Sequence, residues 1–217
     1  MGGIDNDGNL FNDIWSSTDG ITWTLENGNV PFAARFNHTL VNYNNRLWIN
    51  GGQDNDFEFN DVWSSSDGVN WVLETDNADF PSRQGHTSLV FNDRIYIIGG
   101  IDSNQGSGLG PLNDVWSSTD GINWDVETVD ADFSPRFGHT SIVLNNEIWV
   151  IGGLGPGRRN DVWSSTDGVN WTLEIEDTLM PSIFSRRFAH TSLTLDDSIL
   201  IIGGNDGTNR NDVWSLD

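Results

Sequence analysis

Cysteine is absent from the sequence, and so is lysine: all ten cationic side chains are arginine. No disulfide, thiol nucleophile or cysteine-held zinc is therefore available. Against the ten cations stand 32 acidic residues, for a formal net charge of −22. A surface of that sign repels a phosphate backbone, which argues against nucleic acid as a partner. A solvated acidic coat fits a salty, extracellular or cell-surface setting. Long apolar runs are also missing. The longest, such as 148–151 and 199–202, fall far short of the ~20 residues of a membrane-spanning helix. The opening stretch 1–11 is polar and rich in Gly, Asn and Asp, unlike a secretory leader. Tyrosine occurs twice, histidine four times, and no stretch carries a helical period.

What the chain has is tryptophan, glycine and repetition. The run from Asn160 through Asp161, Val162, Trp163, Ser164, Ser165, Thr166, Asp167 and Gly168 to Trp171 recurs at 12–23, 60–71 and 113–124, and begins again at Asn211. Its first tryptophan falls at Trp15, Trp63, Trp116, Trp163 and Trp214, spacings of 48, 53, 47 and 51 residues. Periods of this length mark repeat architectures. Each copy reads as strand C, an Asp-Gly turn and strand D, with Val169, Trp171 and Leu173 alternating with polar residues as one buried face. Upstream lies a second pair. Strand A (86–91) and strand B (94–100) are joined by Asn92-Asp93, and B is apolar on both faces until Gly99-Gly100. Equivalent pairs occupy 38–52, 139–153 and 190–204. Four short antiparallel strands per period predict an all-β propeller, with the tryptophans filling space between blades.

These residues resemble the kelch-repeat propellers: the Gly-Gly pair closing strand B, the aromatic strand C, the tryptophan of strand D and the Arg-x-x-His approach to strand A. The C–D turn, Ser17-Thr18-Asp19-Gly20-Ile21-Thr22-Trp23, also resembles the Asp-box of sialidase-type propellers, one residue shorter. Both resemblances imply a propeller, and neither implies one activity.

A single propeller domain over 1–217 is expected, divided into a partial blade at 1–26 (strands C and D), full repeats at 27–74, 75–127 and 128–174, and a partial repeat at 175–217 (A to C). Strand C occurs five times and the others about four. Three arrangements follow: four blades with a surplus strand, five blades with incomplete first and last members, or a larger ring built when two chains exchange their overlapping ends.

Four Arg-x-x-His pairs, Arg35/His38, Arg83/His86, Arg136/His139 and Arg187/His190, contain every histidine. One per blade at one place predicts a structural role, bonding backbone near the channel, rather than a metal cluster or proton shuttle. Calcium would take oxygen ligands from Asp5, Asp7, Asp54 and Asp56, but Asp/Asn/Gly runs are ordinary turn sequence, so neither metal nor cofactor is expected. A sialidase would need a tyrosine nucleophile, and Tyr43 and Tyr96 lie within strands. The expected role is therefore a non-catalytic scaffold binding a protein or glycan, or a second copy of itself. The alternatives are a carbohydrate-active enzyme similar to sialidases or sialic-acid-processing kelch proteins, and a self-assembling structural module. The A–B and C–D turns barely vary, whereas the B–C and D–A loops vary in length and chemistry, and function sits on loops held by a rigid scaffold. The binding candidates there are Phe57, Phe59, Leu109 and Phe184 as apolar anchors, with Arg158, Arg159, Arg186 and Arg210 as carboxylate grips.

Overall fold

The computed structural model describes residues 1–103, 110–178 and 183–216. Every regular element among them is a β-strand. β1 (Gly3–Ile4) and β2 (Leu10–Phe11) form a hairpin, and β3 (Ile14–Ser16) pairs with β4 (Thr24–Asn27). Three four-stranded antiparallel blades follow. Blade I comprises β5 (Thr39–Tyr43), β6 (Arg46–Asn50), β7 (Val62–Ser65) and β8 (Val72–Thr75). Blade II comprises β9 (Thr87–Phe91), β10 (Arg94–Asp102), β11 (Gly110–Ser118) and β12 (Asp125–Thr128). Blade III comprises β13 (Thr140–Leu144), β14 (Glu147–Leu154), β15 (Arg158–Ser165) and β16 (Thr172–Ile175). Blade IV has three strands, β17 (Thr191–Leu195), β18 (Ser198–Asn205) and β19 (Asn209–Leu216). Within each blade the strands pair in chain order. The A–B and C–D connections therefore share one end of the sheet, and the B–C and D–A connections share the other.

The local chemistry explains the pairing. Asn44-Asn45, Asn92-Asp93 and Asn145-Asn146 all have positive φ, between 47° and 61°, the conformation that closes a two-residue hairpin with the strands' own twist. Strand B is buried on both faces, as its sequence requires: Ile95, Ile97 and Ile98 are inaccessible and Tyr96 nearly so. The glycine pair does not end the strand. β10 runs on to Asp102 through a bulge at Gly99. A Cβ on Gly99 would stand 2.9 Å from the Arg136 carbonyl oxygen, and one on Gly100 would stand 2.8 Å from His86 Cβ. Bare backbone is needed there because the next blade's arginine and the same blade's histidine both press against it.

The C–D connection differs from the sequence expectation. It is a six-residue loop rather than a two-residue turn. Asp67 Oδ1 accepts the N–H groups of Val69 and Asn70, and Ser65 Oγ accepts that of Gly68. The same bonds recur around Asp120 and Asp167. Strand D consequently starts after the tryptophan. Of the predicted buried face only Trp171 is buried, at 6% exposure, while Val169 and Leu173 lie 39% and 44% exposed. The tryptophan instead reaches across to the preceding blade. Trp124 meets Phe80 edge-to-face at 5.1 Å and Trp171 meets Phe133 at 5.0 Å, within cores that also hold Trp48 of blade I and Tyr96 of blade II respectively.

The A strands lie innermost. β5, β9, β13 and β17 sit side by side and bring Thr39, Thr87, Thr140 and Thr191 to one axial pocket of about 210 Å³. Around it the segments just before each A strand are tied in one direction: Gly85 N–H donates to Asn37 O, Gly138 N–H to Gly85 O, and Ala189 N–H to Gly138 O. All four residues are left-handed, and alanine holds φ 53° where blades II and III use glycine. Left-handed strain on alanine costs about 1–2 kcal/mol, and glycine's extra unfolded-state freedom returns about 0.4–1 kcal/mol of that. Ala189→Gly is therefore expected to stabilise the protein by about 0.5–1 kcal/mol, read as a rise in the urea midpoint at unchanged slope.

Candidate partner-binding face

The ten arginines divide by position. Arg35, Arg83, Arg136 and Arg187 are fully buried. Each forms a fork onto the strand-C aspartate of its own repeat, Asp61, Asp114, Asp161 or Asp212, at 2.6–2.9 Å, and each donates to the carbonyl of the first glycine in its Gly-Gly pair, Gly51, Gly99, Gly152 or Gly203. The same aspartates accept the indole N–H of Trp63, Trp116, Trp163 and Trp214. Arg46 and Arg94 stand at the A–B end and pair with Glu74 and with Asp125 and Glu127. The remaining four, Arg158, Arg159, Arg186 and Arg210, all stand on the B–C/D–A end of blades III and IV.

Three of the four histidines of the Arg-x-x-His pairs link blades. His86 Nε2 lies 2.9 Å from Thr39 Oγ1, His139 Nε2 3.1 Å from Thr87 Oγ1, and His190 Nε2 3.0 Å from Thr140 Oγ1. Burial, followed by the neighbouring arginine, pushes His139 down to about 3, His190 to about 4, and His86 well below the usual imidazole value. These rings are neutral at pH 7. Both tyrosines are engaged between blades: Tyr43 donates to the carbonyls of Asp93 and Thr119, and Tyr96 is buried beneath Gly168 of the blade III C–D loop.

On the loop end, Asp177 is the organising residue. Its two oxygens take Arg159 Nη1 and Arg186 Nε, each at 2.8 Å. Arg158 lies 5.6 Å from the Phe188 ring centroid. Arg210 Nε donates to Asp206 Oδ2 at 2.7 Å, and that oxygen also accepts the Ser185 hydroxyl. The Arg210 and Ser185 bonds hold the Asp206 carboxyl far below the ordinary range. Asp177, Asp206 and Phe188 were not singled out by the sequence, where they read as further acidic and aromatic loop residues.

The anchor residues separate. Phe57 is 64% exposed at the tip of the blade I B–C loop. Phe59 lies beneath the Arg35 guanidinium, 4.3 Å from its carbon. Phe184 is wholly buried with Ile151, Val162 and Ile201, so it packs the blade III–IV core and offers no surface. Leu109 lies outside the described residues. Asp5 and Asp54 close turns: Asp5 Oδ1 accepts the N–H groups of Asp7 and Asn9, and Asp54 Oδ1 those of Asp56 and Phe57. Among the described residues no cluster of three or more His, Asp or Glu side chains has a metal-holding arrangement.

Comparison with known families agrees with this geometry. Residues 65–217 match the model described as the KLHDC2/KLHL20/DRC7 Kelch-repeats domain, and residues 1–117 match the DUF6242 beta propeller domain. A search of curated proteins finds no match. The two family matches together span the whole chain and overlap at 65–117, which holds the Gly99-Gly100 bulge and the Arg83–Asp114 fork of blade II. The chain therefore belongs to the kelch-repeat β-propeller family.

Proposed function

We propose that this propeller is a non-catalytic module that binds a protein through the B–C/D–A end of blades III and IV. One observation carries the reading. Every arginine not engaged by the blade framework or the A–B end lies on this one rim of a chain whose net charge is −22. A guanidinium has five donors in a planar fork. An arginine held by one surface carboxylate therefore keeps donors for an incoming carboxylate, and a surface ion pair worth about 0–1 kcal/mol is readily exchanged. Phe57, on the rim of blade I, supplies an apolar contact at the same end. The ligand chemistry this favours is an acidic peptide segment or a chain-terminal carboxylate.

The test is selection of a randomised peptide display library on the intact protein. Enriched sequences are expected to carry Asp, Glu or a free C-terminus at fixed positions. Their binding should fall at least about tenfold in the Arg158→Ser/Arg159→Ser variant, since charge-assisted bonds are worth about 1.5–3 kcal/mol. It should be unchanged in Arg94→Ser, at the opposite end. Enrichment without acidic residues, or binding indifferent to the double substitution, rejects this face.

A further inference from the structure

One place in the repeat is filled in two ways. The residue 17 positions after the asparagine that opens strand C is Asn29, Asn77, Asp130 and Asp177 in turn. The first three accept the side-chain amide of that asparagine. Asn12 Nδ2 donates to Asn29 Oδ1 at 3.0 Å, Asn60 Nδ2 to Asn77 Oδ1 at 2.9 Å, and Asn113 Nδ2 to Asp130 Oδ1 at 2.7 Å. Asp177 turns away. Its carboxylate meets Arg159 Nη1 and Arg186 Nε at 2.8 Å each, and towards the asparagine it keeps the Asn160 backbone N–H, at 3.3 Å. Asn160 Nδ2 donates instead to the Phe184 carbonyl.

Local sequence accounts for the turn. Arg159 stands where blades I and II have Phe59 and Leu112, and Arg186 where they have Ser82 and Pro135. The connecting segment is also longer. From the asparagine amide to the carbonyl of the core phenylalanine is 24 residues in blade III, against 20 in blades I and II. That slack lets the carboxylate swing towards the two cations. The hold is loose. Arg186 Nε lies at ion-pair distance from Asp177 without the alignment of a hydrogen bond, and Arg159 Nε is shut from solvent with no acceptor among the described residues. A buried donor left unpaired is costly. The two arginines therefore carry more donor capacity than Asp177 uses, and a further acceptor from outside the chain would relieve the deficit.

We propose that Asp177 is a built-in occupant of the arginine site, an internal carboxylate that an acidic peptide displaces on binding. The inference rests on the reading that these arginines receive a partner's carboxylate, and it adds what controls them. The molecule already holds both arrangements of this side chain: bound to arginine in blade III and bound to the asparagine amide in blade II. On displacement Asp177 turns to Asn160 Nδ2, as Asp130 does to Asn113 Nδ2, so neither group is left without a partner. Arg159 and Arg186 then present their freed donors to the peptide. Affinity is lowered by the fraction of time that Asp177 holds the arginines. A ligand that offers no carboxylate gains nothing to set against that contact, so Asp177 also sharpens selectivity.

Fluorescence anisotropy of the intact protein with a labelled oligoglutamate peptide tests this. Asp177→Asn should bind the peptide about tenfold more tightly than the wild type, because the competing carboxylate is gone. Asparagine is the native residue at the equivalent Asn29 and Asn77, so the variant keeps its fold. Adding Arg159→Ser should abolish the gain. Asp130→Asn removes the same charge from blade II, where the carboxylate is held by an amide, and should change affinity by less than about twofold. In the wild type, peptide binding should shift the side-chain amide signals of Asn160 in the NMR spectrum. Three results would overturn the inference and leave the binding face standing: no gain from Asp177→Asn, a gain matched by Asp130→Asn or surviving Arg159→Ser, or Asn160 signals unmoved by bound peptide. Failure of both the wild type and Asp177→Asn to bind the peptide rejects the face itself, and the inference with it.

Discussion

Asp161→Ala is expected to lower the unfolding free energy by about 3–5 kcal/mol, the usual cost of leaving one partner of a buried ion pair behind. Arg136 is wholly buried and forks onto both Asp161 oxygens at 2.8 Å. It also donates to the carbonyls of Gly152 and Ser134, so it cannot swing out to water without breaking the bulge of blade III. The substitution strands a guanidinium and also removes the acceptor of Trp163 Nε1. Chemical denaturation of three variants separates the causes. Asp13→Ala removes the equivalent carboxylate, which accepts Trp15 Nε1 but faces no arginine among the described ion pairs. It should cost about 1 kcal/mol, one ordinary hydrogen bond. Arg136→Met/Asp161→Leu removes both charges and should cost less than Asp161→Ala alone, because a buried pair exchanged for apolar side chains is close to neutral. An Asp161→Ala loss under about 1 kcal/mol would show that the fork adds nothing to the fold.

Acidification should be equally damaging, within a window set by histidine. His86, His139 and His190 are 4–7% exposed, and their folded values lie well below 6.5, at about 3 for His139 and about 4 for His190. The unfolded chain therefore takes up protons that the folded chain refuses, and stability is lost as pH falls through the unfolded value of about 6.5. The loss stops growing below the folded values. His38 is lowered as well, to about 4, by burial first and then by Arg35; between pH 7 and pH 5 each such ring costs about 2 kcal/mol, and the four together cost about 7–8 kcal/mol, comparable with the whole stability of a typical domain. The interval above pH 5 is the informative one, because most carboxylates remain ionised there and their mutual repulsion changes little. Urea midpoints at pH 7, 6 and 5 should fall steadily, and His139→Asn should remove about a quarter of the slope. A flat profile would mean that these rings are solvated in the folded state.

Much of this was legible in the sequence. Period-2 patterning, Asn-Asn and Asn-Asp turns and the Gly-Gly pairs located strands A, B and C, because each reflects a local backbone requirement. Strand D misled. Alternation in Val169, Trp171 and Leu173 suggested one buried face, but the Asp167 carboxylate captures the N–H groups of Val169 and Asn170 and delays the strand past the tryptophan. Asp-Gly alone is compatible with either turn. Arg-x-x-His was correctly a repeat feature, yet its aspartate partner lies 25–31 residues downstream, a distance at which spacing says nothing about contact. One available signal was passed over. Phe32, Phe80, Phe133 and Phe184 each stand three residues before the repeat arginine. That phase assigns Phe184 to the interblade core, where it is found, and removes it from the binding surface. Arg159 and Arg210 share one repeat position, the residue before the Asn of the Asn-Asp-Val-Trp run, where the other copies carry Phe11, Phe59 and Leu112, so they stand out as a change of chemistry at a fixed place.

The sameness of the joints between blades has a genetic consequence. Gly52, Gly100 and Gly153 each donate their N–H to the arginine carbonyl of the following blade, Arg83, Arg136 and Arg187 in turn. A recombination event that splices the coding sequence of one repeat to the matching codon of another therefore joins surfaces already made for each other. Deleting or duplicating a whole period leaves no mismatched boundary, whereas a crossover out of phase by a single residue inverts a strand's faces. Blade number in such a gene can drift in whole-repeat steps while each surviving junction remains chemically unchanged.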